Sequence, residues 1–557
     1  MTMGIYALKR HLQNELAVRA FCGLRPIIAP AILFVLLAAL LNGCERTVAS
    51  KEYNERLLII GSPEEPQTLD PQYGLFGQIQ QATAPVVYEQ LFFRKTDAKT
   101  LYPLLAKSYR MPNPSTFEID LREGVLFSDG SAFDAYDVVF SFKRLADPPG
   151  AGIPIKYIAN AIDHIEIINP YKVIFHLTEP TPGFIGYLVE APIISNEIGA
   201  AEPADFNNLS AAVGTGPYRI TAWDRGDKIE YEPNPLFRGK QPDWDKIVLK
   251  FLPNHAARVA ALMSGDIHVT NYIPTVDVPR LQSAEGIDII ARPSNRAIYF
   301  HLDIGRETSP HITDKTGRTI PNPLRDRRVR EALSLAIDRS LIVDKILEGY
   351  ATPAFQWMAE GHLGYNPSLP PIIVDRERAR QLLSDAGYPD GFRLTLHGTA
   401  GLYGPDVRVL QAIAAMWAKI GIDVSVEALP PGVYWGPWFD REFSVALSSY
   451  GFQQHRIVPV VRITVSSDGY DNIGGYSNPE VDALMRQIPA APIEQQRILM
   501  KDVTAILYED IALLPIYHFQ YVFGYRSDHV VYDPTQNLRD LELLRAFPVP
   551  GDDRTES

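Results

Sequence analysis

From Asp375 to Val426 the chain twice runs an apolar helical stripe, a glycine and then a strand. In the first pass a helix capped by Asp375 reaches Ala386 and stops at Gly387, with Phe392, Leu394 and Leu396 alternating behind it. In the second, Leu410, Ile413, Ala414 and Trp417 share one helical face, Gly421 is the stop, and Ile422, Val424 and Val426 form the next strand. Helices and strands in this order bury their apolar sides against each other, which directs the chain to an α/β architecture.

The same signals recur upstream. Leu57 to Ile60 predicts a short apolar strand ending at Gly61, and Phe117, Ile119 and Leu121 alternate as a half-buried strand does. Asp134 is a helix cap with Asp137 three residues on, followed by the stripe Val138, Phe142 and Leu145 and a stop near Asp147-Pro148-Pro149. Val329, Leu333, Ala336 and Ile337 mark another apolar stripe. With 557 residues, too many for one core, the chain should divide into about three domain-sized units. A net charge of −13 argues against the basic face that a nucleic-acid partner would need.

The N-terminus reads as an export signal. Lys9, Arg10, Arg19 and Arg25 precede an apolar run from Ile27 to Leu41, which closes in Asn42-Gly43-Cys44. As a helix that run spans roughly 22 Å, short of a hydrocarbon core of about 30 Å, so a permanent membrane span is not expected. Gly43 before Cys44 resembles a lipobox, in which the Cys44 thiol is acylated and residues 1–44 form the signal segment; Asn42 is the departure from that pattern. Cys22 and Cys44 are the only cysteines, so removing the leader leaves no pair to form a disulfide.

Local signatures of catalysis are missing. The sequence holds no HExxH, CxxC, GxSxG or GxxxxGK[ST]. Gly214-Thr215-Gly216 runs into Pro217 and lacks a third glycine, so it reads as a turn and not a phosphate cradle. The histidines are scattered, and His455 reads as solvated more readily than as a metal ligand. No cofactor and no metal are expected.

Several whole segments, in order, resemble the extracellular solute-binding proteins of the peptide and nickel ABC importer family, family 5. They begin with Glu65-Pro66-Gln67-Thr68-Leu69-Asp70-Pro71 and continue with TFEIDLREGVLFSDGSAFDAYDVVFSFKRLADP (116–148) and GTGPYRITAW (214–223). RDRRVREALSLAIDRSLIV (325–343), RARQLLSDAGYPDGF (378–392) and YSNPEVDALM (476–485) complete the set. The resemblance implies a periplasmic-binding-protein-like α/β clamshell without catalysis: lobe I from 45–80, 190–300 and 516–557, an inserted domain from 81–189, and lobe II from 301–515. Tyr299-Phe300-His301-Leu302 and Leu514-Pro515-Ile516-Tyr517 are the candidate strands of a two-strand hinge. It further implies a monomer at the periplasm or cell surface, lipid-anchored, that passes a small peptide or peptide-like solute to an ABC permease. A peptide-binding chaperone-like or sensory surface lipoprotein, and an exported hydrolase, are the competing readings.

In peptide-binding relatives a lobe II segment carries a tryptophan and, three residues later, an aspartate that holds the peptide's amino group. The matching stretch here places Tyr450 at the tryptophan and Gln453 at the aspartate. The expected solute-binding residues are Tyr450, Gly451, Phe452, Gln453, Gln454 and Arg456: Tyr450 and Phe452 as an aromatic wall, the glutamines for amides or hydroxyls, and Arg456 for a carboxylate. With the charge gone at Gln453, a buried ammonium would lose its counter-ion, which favours a modified peptide, a conjugate or a polyol unless Asp468 or Asp471 supplies a carboxylate from a neighbouring turn. Trp435 and Trp438, in a Pro/Gly-rich loop, suit either a cleft wall or core packing.

Overall fold

The computed structural model describes residues 56–73, 86–94, 101–147, 156–271, 273–451 and 457–532, with Asn295 and 546–548 described by backbone alone. The leader and Cys44 therefore lie outside the described residues.

The chain enters through β1 (Leu57–Ser62), which runs through Gly61 and pairs in parallel with both β2 (Lys246–Phe251) and β3 (Val269–Thr270). Leu58, Ile60, Ile247 and Leu249 are buried there with Tyr218, Tyr231 and Trp244 in one core. A separate core, drawn from residues between Leu91 and Ile193, lies with an antiparallel four-stranded sheet. Its strand Thr116–Leu121 shows the expected in-out alternation. Helix α1 (Ala135–Ala146) starts at Asp134 with the reciprocal Asp134/Asp137 capping box and ends at Asp147.

Two long strands join the rest. β4 (Ile287–Leu302) and β8 (Leu513–Arg526) pair antiparallel over nearly their whole length. On one side β8 carries β3; on the other β4 carries β7 (Val445–Gly451), next to β5 (Arg393–Thr399) and β6 (Asp423–Leu429). A single sheet of twelve strands thus passes from the first lobe into the second. The expected helix-strand units are α2 (Arg376–Asp385), capped by Asp375, then β5, and α3 (Asp406–Ala418), then β6, with β5 and β6 parallel.

The proposed hinge segments do pair, Tyr299 opposite Pro515 and Phe300 opposite Leu514. Their side chains belong to second-lobe cores, and the register shifts twice, between Ile298 and Tyr299 at the start of the proposed segment and between Pro293 and Ala297 before it. The β7 ladder begins at Arg296, so the change of neighbours falls at the Pro293–Ala297 break. Proline explains the placement: without an N–H, Pro293 cannot continue the ladder as a donor.

Two contacts fix the remaining pieces. Gly214 and Gly216 pass so close to the Val87 and Val86 carbonyls that a Cβ would lie 2.0 Å and 2.5 Å from them, so the GTGPY bend requires glycine. Arg144 of α1 is buried against Asp70, its Nη1 donating to Asp70 Oδ1 at 3.0 Å and to Gln72 Oε1 at 3.1 Å, and its Nη2 to the Ala201 carbonyl at 3.2 Å. Removing one partner leaves the other charge buried. Arg144→Ala is therefore expected to cost about 3–5 kcal/mol in equilibrium unfolding; a loss under 1 kcal/mol would show that the pair does not pin α1 to the Asp70 segment.

Candidate functional site

Strand alternation builds the site. Across the β4–β7 ladder, Ala297 faces Tyr450, Tyr299 faces Ser448 and His301 faces Ala446, so these six side chains share one face of the sheet. Ile298, Phe300, Val445 and Leu447 point to the opposite face, into the main second-lobe core. Aromatic rings cover the first face: Trp357 lies 5.2 Å from Tyr299 and 6.5 Å from Tyr450, and His301 lies 5.1 Å from Trp438.

Trp438 stands on α4 (Pro431–Phe439), a helix where the sequence predicted a loop. Pro431 at the first helical turn needs no N–H partner, and burial of Tyr434 and Trp438 outweighs the cost of Pro437 inside the helix. The Tyr434 hydroxyl donates to the Leu447 carbonyl at 2.6 Å, fixing α4 to β7. Trp438 is accordingly core, while Trp435 is half-buried against Tyr434 and Trp438.

The two candidate carboxylates part company. Asp468 is exposed, with Arg462 3.8 Å away, an arrangement of little energetic weight. Asp471 is 4% exposed; it accepts a hydrogen bond from Trp438 Nε1 at 3.1 Å and another from the Tyr450 hydroxyl. Burial raises the Asp471 carboxyl above its ordinary value, and the Trp438 and Tyr450 donors only partly offset this. Burial, then the Asp471 charge, pushes the Tyr450 hydroxyl far upward, so it remains a donor. His301, buried nearby, is pushed down to about 3 and is neutral.

The carboxyl ends of β5 and β7 add further groups. Asp406 gathers the loop after β5, accepting from Thr399 Oγ1 at 2.7 Å, Gly401 N at 2.8 Å and Leu402 N at 3.0 Å, and this holds Tyr403 in place. Tyr403 feels both Arg296 and Asp471, and burial pushes its hydroxyl up to about 12. Arg296, paired in register with Gly451, donates from Nη1 to Ser449 Oγ at 3.0 Å. Open α/β sheets take their ligands at such strand ends. Of the expected site residues, Tyr450 and Gly451 are here, while Phe452, Gln453, Gln454 and Arg456, together with His455, lie outside the described residues. Sequence reasoning missed Arg296 and Tyr403; the signal for Arg296 was a lone arginine leading into the apolar run Ala297–Phe300.

Residues 100–471 match the family model of bacterial extracellular solute-binding proteins, family 5, middle region. The glutathione-binding protein GsiB of Salmonella paratyphi A is 30% identical over 372 residues, covering 66% of this chain and 68% of that protein, and GsiB of Escherichia coli K12 gives the same figures. Among solved structures, the periplasmic binding protein DppA from Helicobacter pylori in complex with peptide STSA superposes with a TM-score of 0.74 at 23% identity, covering 88% of this chain and 98% of that one. NikZ from Campylobacter jejuni in complex with Ni(L-His) gives 0.75 at 22%, covering 88% and 99%.

Asp471 makes a pH prediction. With its folded value raised, the group's contribution to stability is full below the unfolded carboxyl value of about 3.9 and is lost as pH rises through the folded value. Asp471→Asn is therefore expected to melt higher than the unsubstituted protein at about pH 7–8, with the difference closing toward about pH 4. Thermal unfolding across that range checks it. A variant that melts lower at neutral pH would mean that a cation stabilises the carboxylate.

Proposed function

Since the chain belongs to the bacterial extracellular solute-binding proteins of family 5, we propose that it captures a peptide or peptide-like solute between its two lobes and delivers it to the permease of an ABC importer. The observation that carries the solute class is the buried Asp471 carboxylate held by Trp438 and Tyr450, with Arg296 on the neighbouring strand. Opposite charges over aromatic walls suit a guest that bears both signs and amide groups, as a peptide does. A polyol offers no charge to match either group, so Asp471 takes the part that Gln453 cannot and moves the preference back toward peptides. The solutes named for the similar proteins, glutathione, the peptide STSA and a nickel-histidine complex, share amino and carboxylate groups. Acylated Cys44 would tether the monomer outside the cytoplasmic membrane.

Native mass spectrometry of the purified protein with glutathione and a pooled di- to tetrapeptide library tests the reading. The unsubstituted protein is expected to retain peptidic members. Tyr450→Ala should weaken retention about tenfold or more, the loss of one aromatic wall and one hydroxyl. Retention of a copurified uncharged solute with no peptide bound would contradict it.

A further inference from the structure

Asn271 has both side-chain polar atoms, Oδ1 and Nδ2, buried with no hydrogen-bond partner, and the residue is 0% exposed. A carboxamide brings one acceptor and two donors, and sealing all of them away unanswered is among the costlier things a fold can do. An apolar residue of similar volume would spare that cost, so its presence calls for a cause other than stability.

Its position supplies one. Asn271 follows β3 directly, and Thr270 Oγ1 donates to the Gly61 carbonyl at 2.8 Å, holding the carboxyl end of β3 against that of its parallel neighbour β1. Ile273 N donates to the Val522 carbonyl of β8 at 3.3 Å, and Val522 faces Ala291, two residues before the register break at Pro293. Asn271 thus flanks the crossing strands from the first lobe at a parallel strand end, as Tyr450, opposite Ala297, flanks them from the second.

We propose that Asn271 is the first lobe's solute-recognition residue, its carboxamide accepting an N–H from and donating to a C=O of an amide group in the captured solute. This rests on the solute-binding reading above and adds to it the lobe I half of the site. A carboxamide is complementary to a peptide group in both directions, so one side chain positions one peptide unit and discriminates against solutes that lack amides.

The test uses Asn271→Ala and the apolar, similar-volume Asn271→Leu, with thermal unfolding and retention of a pooled tripeptide library measured on the same preparations. The expected result is a ligand-free Tm unchanged or a few degrees higher, with tripeptide retention weakened about tenfold or more. Retention equal to that of the unsubstituted protein overturns the assignment and leaves a buried water as the amide's partner. A Tm several degrees lower in Asn271→Ala also overturns it, since the amide would then be structural. If the unsubstituted protein retains no tripeptide, the solute-binding reading falls together with this one; retention unchanged by substitution removes Asn271 alone.

Discussion

The antiparallel pairing of β4 with β8 is the constraint on which the rest of the structure depends. It is the central seam of one sheet, with the first lobe's parallel strands against β8 and the second lobe's against β4. Hydrogen bonds along the two arms hold each lobe's edge rigid, whereas the register shifts between Pro293 and Ala297 and between Ile298 and Tyr299 concentrate backbone adjustment in a few residues. Buried Arg339 adds to this on the second-lobe side, donating from Nε to the Pro515 carbonyl at 2.8 Å and so tying the Ser334–Arg339 turn to β8. Rigid arms around a short irregular span are what a domain-closing hinge requires.

The site's chemistry follows from that scaffold. Parallel strands deliver their carboxyl ends to the edge nearest the crossing, and a buried carboxylate there is costly unless donors surround it. Asp471 has the Trp438 indole N–H and the Tyr450 hydroxyl, both neutral, and its carboxyl stays raised. A positively charged guest group would complete what the neutral donors leave unfinished, which is the preference proposed for this site.

Much of the fold was legible because local signals agreed with the tertiary result. The Asp134/Asp137 capping box, the Asp375 cap and the stripe ending at Trp417 each mark an element that packs as its pattern implies. The Pro431–Phe439 helix was not legible, since proline and glycine argue for a loop and only aromatic packing against β7 decides otherwise. Nor could sequence choose between Asp468 and Asp471, three residues apart; the choice depends on which one the turn after the Ile457–Val465 helix folds toward Trp438. The two hinge segments were legible as strands, but the register shifts at Pro293/Ala297 and Ile298/Tyr299 were not, because buried apolar strand residues look alike until the pairing is known.

Small-angle X-ray scattering of the purified protein, with and without a saturating solute shown by native mass spectrometry to be bound, tests the central claim most directly. Two lobes closing over a guest through the Pro293–Ala297 break predict a smaller radius of gyration in the bound state. Superimposable scattering curves at full occupancy would contradict it.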